Sequence, residues 1–173
     1  VYLDGKTSQP VIPNGSVGFR WEDPGGKWNL KPENAEDGVA VDPILTLAGH
    51  EEAWAKVTFP LFEGDGPKTK SGMVPAKTIA GKDQDFLVTT VFDLLVANLG
   101  IDRGKGGAAA RDYDDPVPYT PAWQEAITSV PRMDAIRVAR EFAENAAKTK
   151  GKSMIFLGAG TNHWYHSDMI YRT

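Results

Sequence analysis

Several features that often reveal a protein's class are missing from this 173-residue sequence. It has no cysteine, which excludes disulfides, thiolate zinc sites and cysteine-bound iron–sulfur clusters within these residues. No apolar run approaches the roughly 20 residues that a membrane helix needs, and the start shows no signal-peptide pattern. The net charge of −4 gives no basic footprint for nucleic acid or for an anionic membrane surface.

What is present is the composition of a folded domain. Hydrophobic residues make up 41% and charged residues 24%, values typical of globular proteins. Glycine (18) and proline (12) are frequent, and most glycines precede residue 110, which predicts many turns between short strands. The chain opens on Val1 and stops at Thr173 just as a new apolar pattern begins. We therefore expect it to be a piece of a larger protein.

The fold class predicted from these patterns is an α/β fragment. Residues 1–89 are expected to be a β-rich, turn-rich hairpin segment, and residues 90–173 a helical segment that ends in a helix–strand–glycine-loop unit. Trp21 and Trp28 could form an aromatic platform for a sugar or a base, but packing across a hairpin is favoured. The predicted strands are 17–21 paired with 27–30, 44–47, 55–59 ended by Pro60, and 74–79 paired with 86–89.

Three helices are predicted in residues 90–173. Thr90 followed by Asp93 is typical of a helix N-terminus, and Gly100 is typical of the stop that follows. Pro121 and Pro131 open two further helices. The expected buried faces are Val91, Leu94, Leu95 and Asn98 in the first helix, Trp123, Ala126 and Ile127 in the second, and Ala135, Ile136, Ala139, Phe142, Ala143 and Ala146 in the third, which covers 133–148.

Three other clusters resemble binding motifs without meeting their requirements. The His-Glu-Glu run at 50–52 is better interpreted as solvated charge, since a metal site needs three or four converging ligands. The glycines at 104–107 lack the preceding strand and the helix start of a phosphate-binding loop. Arg137 and Arg140 could clamp a phosphate, but a solvated helix face with an ion pair from Arg137 to Glu141 is favoured.

The most informative stretch lies near the C-terminus. The run Ser-Met-Ile-Phe-Leu at 153–157 follows a helix and is predicted to be a short buried strand. Gly158-Ala-Gly160 comes next, and then Thr-Asn-His-Trp-Tyr-His at 161–166. Ligands of open α/β sheets bind beyond the carboxyl ends of the strands. We therefore place the candidate site in the loop 158–166.

The residue types of this loop suit a polar ligand. Gly158 and Gly160 would allow positive φ and close approach of the backbone. Asn162 offers a donor and an acceptor, and the imidazoles of His163 and His166 can donate, accept, take up a proton or bind metal. The dinucleotide fingerprint is incomplete, a hydrolase nucleophile elbow is absent, and nothing nearby supplies a third metal ligand. From the residues alone, a polar-ligand site and a merely packed loop stay equally open.

The sequence also resembles a known family. The helix–strand–Gly-x-Gly-x-Asn pattern is general to the dimethyl-sulfoxide-reductase superfamily of molybdenum enzymes, and the run at 162–166 points to the catalytic alpha subunits of membrane-bound respiratory nitrate reductases. Residues 31–42 and 66–84 lie outside the matching runs. The resemblance is carried by 130–132, 136–143, 151–155, 158–169 and 171–172, and further upstream by 13–21, 27–30, 59–60, 87–91 and 119–123.

The resemblance implies an activity, cofactors and partners. The whole enzyme would hold molybdenum through two molybdopterin (pyranopterin) guanine dinucleotides and reduce nitrate to nitrite. Electrons would come from quinol through a haem-bearing membrane gamma subunit and the 4Fe-4S clusters of a beta subunit and of the alpha subunit itself. The alpha subunit would lie at the cell membrane as a peripheral protein on the cytoplasmic face. The metal and cluster ligands are expected outside this fragment, so the isolated chain should be inactive.

The resemblance also implies roles for the loop, which would lie over the pterin beside the metal. Gly158, Gly160 and Thr161 would contact the cofactor through their backbone. Asn162 and His163 would hydrogen-bond the pterin or line the nitrate pocket, as the catalytic pair. His166 would be a more distant or structural cofactor-binding residue. No metal ligand is assigned in this chain.

Two alternatives stay open on the sequence. The first is another molybdopterin oxidoreductase, such as a selenate, chlorate or perchlorate reductase, which the Asn-His pair at 162–163 does not separate from a nitrate reductase. The second is a noncatalytic β-rich binding module with exposed tryptophans and a helical tail. The module would fold cooperatively by itself, whereas a fragment would be marginally stable because the apolar run 153–157 would lack its neighbours.

Overall fold

The structure is a computed structural model that describes residues 1–13, 32–61 and 68–167, except for the side chain of Asn162. The predicted hairpin at 17–30, with Trp21 and Trp28, lies outside these residues. Two compact units are present, Val1–Thr120 and Pro121–Thr173. The described residues combine strands with helices, so the α/β character is confirmed.

The first unit begins with a small antiparallel sheet. Strand β1 (Tyr2–Leu3) pairs with strand β2 (Pro10–Val11). Asp4, buried after β1, accepts hydrogen bonds from the backbone N–H of Asp42 at 3.0 Å and from the hydroxyl of Thr7 at 2.8 Å. These bonds lower the pKa of the Asp4 carboxyl. A single carboxylate therefore joins the first turn of the chain to the segment that follows residue 41.

The strand predicted at 44–47 is wrong, because these residues form a loop. The N–H of Ile44 donates to the carbonyl of Leu3 at 2.8 Å, and the N–H of Leu47 donates to the carboxylate of Asp93 at 2.8 Å. Two isolated backbone bonds to unrelated partners do not make a strand ladder. Leu47 is nevertheless only 1% exposed, so its apolar side chain is used in the core rather than in a sheet.

A three-stranded antiparallel sheet forms the centre of this unit. Its strands are β3 (Ala53–Leu61), β4 (Lys68–Ala80) and β5 (Asp85–Val88), in the order β3-β4-β5. The predicted hairpin of β4 and β5 and the predicted strand at 55–59 are confirmed. Pro60 does not end β3 but pairs with Thr69 within it. Since β3 lies at the edge of this sheet, it accommodates a residue without an N–H.

Helix α1 (Val91–Asn98) packs against β4, and its predicted ends are confirmed. The hydroxyl of Thr90 accepts from the N–H of Asp93 at 3.0 Å, and Gly100 takes a φ of +76° after the last turn. The predicted buried face is wrong. Val91 and Leu95 are 82% and 51% exposed. The buried residues are instead Asp93, Val96 and Ala97, because the close approach of α1 to Gly72 of β4 needs the small Ala97 side chain.

The second unit contains helices α2 (Pro121–Thr128) and α3 (Arg132–Thr149), and their predicted starts at Pro121 and Pro131 are confirmed. The two helices pack on each other. Arg132 joins them, since its Nε donates to Glu125 at 2.5 Å. The predicted ion pair between Arg137 and Glu141 is present at 3.3 Å. The predicted apolar faces are mostly not buried: Ile136 in α3 is, whereas Ala126, Ile127, Ala139, Phe142 and Ala143 are exposed. The buried residue of α2 is Ala122, which was not in the predicted face.

The buried strand predicted at 153–157 is also wrong. These residues belong to no strand or helix, and Met154, Ile155, Phe156 and Leu157 are 81%, 71%, 86% and 58% exposed. A strand needs a neighbouring strand for its backbone groups. No described residue of the second unit forms one. The segment therefore has the composition of an inner strand without the partner that would make it one.

Candidate functional site

The candidate loop begins with a short helix. Gly158 precedes α4 (Ala159–Asn162) with φ −103° and ψ −179°, and Gly160 lies inside it. Neither glycine uses the positive φ that the lack of a Cβ allows, because Gly158 is extended and Gly160 is helical. His166 instead takes the left-handed conformation, at φ 57°. The chain thus turns sharply twice between residues 158 and 167.

Close approach to the backbone, the other property expected of the glycines, is allowed. A Cβ placed at Gly158 or at Gly160 would meet no atom within 4 Å. Thr161 is half-buried, and its N–H donates to the carbonyl of Gly158 at 3.4 Å. This edge of the loop is therefore open to a bulky group, with no side chain of the described residues filling the space beside the two glycines.

The two histidines share the turn that follows α4. His163 ends the helix, with φ −92° and ψ 2°, and its side chain is exposed. The ring of Tyr165 lies 3.8 Å from the ring of His166, centroid to centroid, at a tilt of 54°. Tyr165 and Trp164 are 86% and 70% exposed. The backbone of Asn162 belongs to α4, while its predicted side-chain role lies outside the described residues.

Charged groups elsewhere do not form a metal centre. Within residues 1–13, 32–61 and 68–167, no three or more histidine or acidic side chains are placed to hold a metal ion. In the 50–52 run, Glu51 accepts from the N–H of Gly49 at 2.6 Å, and Glu52 accepts from the N–H of Thr78 at 3.0 Å. Both carboxylates thus accept hydrogen bonds that fix the loop, in keeping with the interpretation as loop charge.

The most deeply buried charge was recognised from the sequence only as a helix cap. Asp93 is fully buried and accepts from the hydroxyls of Thr46 and Thr90, from the N–H of Leu47 and from Arg103 Nη1, at 2.6–2.8 Å. Burial alone would raise the pKa of Asp93, but these bonds outweigh it and lower the pKa. Asp93 therefore joins three segments as a charged structural centre.

A cleft of about 360 Å³ lies in the first unit. Its polar wall includes Asp42, His50 and Lys77, and its floor includes Ile44 and Leu47. The amine of Lys77 lies 4.0 Å from the carboxylate of Glu52, so its charge is partly balanced. No sequence pattern groups these residues, since Lys77 lies on β4 and the others lie in the segment 42–50.

Comparison with known proteins assigns the chain to a class. No protein-family profile matches it. Across nearly its full length, however, it matches alpha chains of reductases that are named for nitrate or perchlorate. It is 45% identical to the nitrate reductase alpha chain of Bacillus subtilis (98% of this chain), and 47% identical to the respiratory nitrate reductase 1 alpha chain of Escherichia coli (94% of this chain). A nitrate reductase alpha subunit of Mycobacterium tuberculosis is 44% identical over 99% of this chain.

The resemblance seen in the sequence is thereby confirmed: this chain is homologous to a segment of nitrate reductase alpha chains. It spans about 14% of the length of the nitrate reductase alpha chains just named. No helix among the described residues is long and apolar enough to cross a membrane.

Proposed function

We propose that this chain is an internal segment of a respiratory nitrate reductase alpha subunit, and that the complete subunit reduces nitrate to nitrite. The observation that carries the proposal is the 44–47% identity over 94–99% of the chain to alpha chains named for that activity. The balanced reaction takes two electrons and two protons and releases nitrite and water. The isolated segment is proposed to be inactive.

The cofactors belong to the proposal as well. Molybdenum bound by two pyranopterin guanine dinucleotides would supply the electrons to nitrate, and a 4Fe-4S cluster would carry them to that centre. The residues present suit a bulky polar group: the space beside Gly158 and Gly160 is open, and the imidazole of His163 is exposed. The metal and cluster ligands would come from parts of the subunit outside this chain.

Within the site, the chain's own residues bind and orient. The backbone of Gly158, Gly160 and Thr161 would contact the cofactor closely, since neither glycine carries a Cβ to keep a flat ring system away. Asn162 and His163 would donate hydrogen bonds to the pterin or to nitrate. A fixed donor at the departing oxygen stabilises the charge that develops there, which is where such a bond lowers the barrier. His166, held against Tyr165, would support the turn and the cofactor from further away.

The proposal includes domain and partner assignments. Residues 1–89 would form a β-rich part, and residues 90–173 would form part of the α/β domain that binds the molybdopterin. The subunit would work with an iron–sulfur beta subunit and with a haem-bearing gamma subunit that oxidises quinol. It would lie at the membrane as a peripheral protein on the cytoplasmic face.

The test uses the complete complex with His163→Ala, and His50→Ala as a matched control in the other unit. We expect a loss of roughly 100- to 1,000-fold in kcat/KM for nitrate, as when one fixed donor is removed from a charged transition state. Nitrate-dependent quinol oxidation measures it, normalised to pterin content. Unchanged cofactor content and nitrate kinetics in His163→Ala would remove this residue from the site.

A second candidate is a reductase of another oxyanion. The perchlorate reductase alpha subunit of Dechloromonas aromatica is 27% identical over 98% of this chain. This lower identity places it second. Comparing kcat/KM of the complete enzyme for nitrate, selenate, chlorate and perchlorate separates the candidates, because specificity is a ratio of these values. A higher value for any of the other oxyanions would favour the second reading.

A further inference from the structure

The turn after helix α3 is fixed by more hydrogen bonds than a helix end requires. Lys150 takes the left-handed conformation at φ 57°, and the N–H of Gly151 donates to the carbonyl of Ala146 at 2.7 Å, which is an ordinary way to end a helix. In addition, the hydroxyl of Thr149 donates to the carbonyl of Asn145 at 2.6 Å and accepts from the N–H of Lys152 at 3.2 Å.

A second set of bonds ties the following segment back to the helix. The side-chain amide of Asn145 donates to the carbonyl of Lys152 at 3.0 Å and to the hydroxyl of Ser153 at 2.8 Å. The same hydroxyl donates to the carbonyl of Phe142 at 3.0 Å. Both protons of the Asn145 amide and both roles of the Ser153 hydroxyl are thus used. We call Asn145 and Ser153, with these three bonds, the clamp.

The clamp sets the direction of the chain. Ser153 contacts a carbonyl seven positions before the end of α3, which is roughly 10 Å back along the helix axis. The chain has therefore turned back along α3 by residue 153, and the segment 154–157 starts from that point.

We infer that Asn145 and Ser153 are positioning residues for the loop 158–166, an inference that rests on the proposed function of that loop. The segment between the clamp and the loop, residues 154–157, belongs to no strand or helix, and four residues span at most roughly 14 Å even when fully extended. A fixed Ser153 therefore limits how far Gly158 and the rest of the loop can move from the end of α3.

The test measures amide hydrogen exchange in the complete complex. Asn145→Asp keeps the size of the side chain but removes both donated hydrogen bonds, and Ser153→Ala removes the hydroxyl. We expect each to speed exchange at residues 154–166 by roughly fivefold, the effect of losing about one net hydrogen bond. Exchange within residues 132–141 should stay unchanged, which shows that α3 remains folded. Glu144→Gln, on the neighbouring exposed position of α3, is the control and should change nothing.

Kinetics and rescue separate positioning from simple stabilisation. Asn145→Asp and Ser153→Ala should lower kcat/KM for nitrate several-fold at unchanged pterin content. Ser153→Thr keeps the hydroxyl, so it should show the amide-exchange rates and the kcat/KM of the wild type. Faster exchange confined to residues 149–153 would overturn the inference, since the clamp would then only end the helix. Faster exchange through residue 166 without any kinetic effect, together with an inert His163→Ala, would overturn the proposed function and leave the positioning of the loop supported.

Discussion

At the scale of single residues, Asp93 joins segments that are distant from one another in the chain. Its carboxylate accepts from Thr46 and Leu47, more than forty positions earlier in the chain, and from Arg103 ten positions later. Arg103 is itself only 19% exposed at its side chain. A buried ion pair contributes little net energy, but the loss of one partner leaves the other buried without compensation. The free-energy cost of replacing Asp93 therefore includes the cost of leaving the Arg103 guanidinium without its partner.

Asp93→Asn should open helix α1 and the 43–50 loop more often. The expected loss of local stability is on the order of 3 kcal/mol, or roughly 100-fold faster amide exchange at Val91–Asn98. Asp83→Asn, at an exposed aspartate in the turn after β4, is the matched control and should have no effect. Equal exchange in the two variants would show that Asp93 does not hold these segments together.

The same carboxylate has a defined pH dependence. Because the pKa of Asp93 is lowered in the folded state, its stabilising contribution is complete above the ordinary pKa of aspartate. The contribution is lost as the pH falls from there through the lower pKa of the folded state. Acid should therefore open α1 in the wild type, whereas Asp93→Asn should show less of this change.

At the scale of elements, the loop after α1 is joined to strand β4 by close backbone contact. Gly107 forms an isolated bridge with Gly72, and the N–H of Ala108 donates to the carbonyl of Ser71 at 2.8 Å. Gly107 has a φ of +100°, and a Cβ there would lie 3.0 Å from the Cα of Gly72. The loop that follows α1 is thus anchored to the sheet at this point.

Gly107→Ala should release this loop from β4. Positive φ costs a residue with a Cβ about 1–2 kcal/mol, and the backbone contact adds an overpacking cost of about 1–3 kcal/mol. Gly104→Ala is the matched control, since Gly104 has a φ of +69° but no atom within 4 Å of the added Cβ. Amide exchange at Ala108 measures the difference, and equal effects of the two substitutions would contradict the close packing against Gly72.

At the scale of the whole molecule, the second unit leaves much apolar surface exposed. The segment 154–157 and much of α3 present large apolar side chains to solvent. Residues 154–157 are consecutive and all exposed, and an exposed apolar stretch of this kind often marks a surface that binds another part of a protein. The chain spans about 14% of the length of related alpha chains. We therefore expect the segment 154–157 to be covered by other parts of the complete subunit.

Oxidation of Met154 tests this expectation. Its side chain is 81% exposed in the structure, so peroxide should oxidise it readily in the isolated chain. In the complete subunit we expect the reaction to be at least roughly tenfold slower, because susceptibility follows exposure. Mass spectrometry of the 154-containing peptide measures both rates, and the two proteins unfolded in denaturant provide the reference. Similar rates in the folded proteins would show that the segment stays on the surface.

The signals that the sequence carried reliably were local ones. Thr90 with Asp93, the prolines at 121 and 131, and the turn between β4 and β5 set the limits of their elements, because capping and turn bonds join residues that are close in the chain. The family was likewise recognisable from short runs such as 162–166. The loop 158–166 could be proposed as the site in the same way, from its residue types and from homology.

Only the tertiary structure decided which faces are buried and which distant groups meet. Leu47 became a core residue in a loop, Ala97 rather than Leu95 faced the sheet, and Asp93 found partners that no local pattern could indicate. The physical reason is that burial and strand pairing are properties of a pair of surfaces. A segment such as 153–157 has the apolar side chains of a strand, but it forms a strand only where a neighbouring strand pairs with its backbone groups.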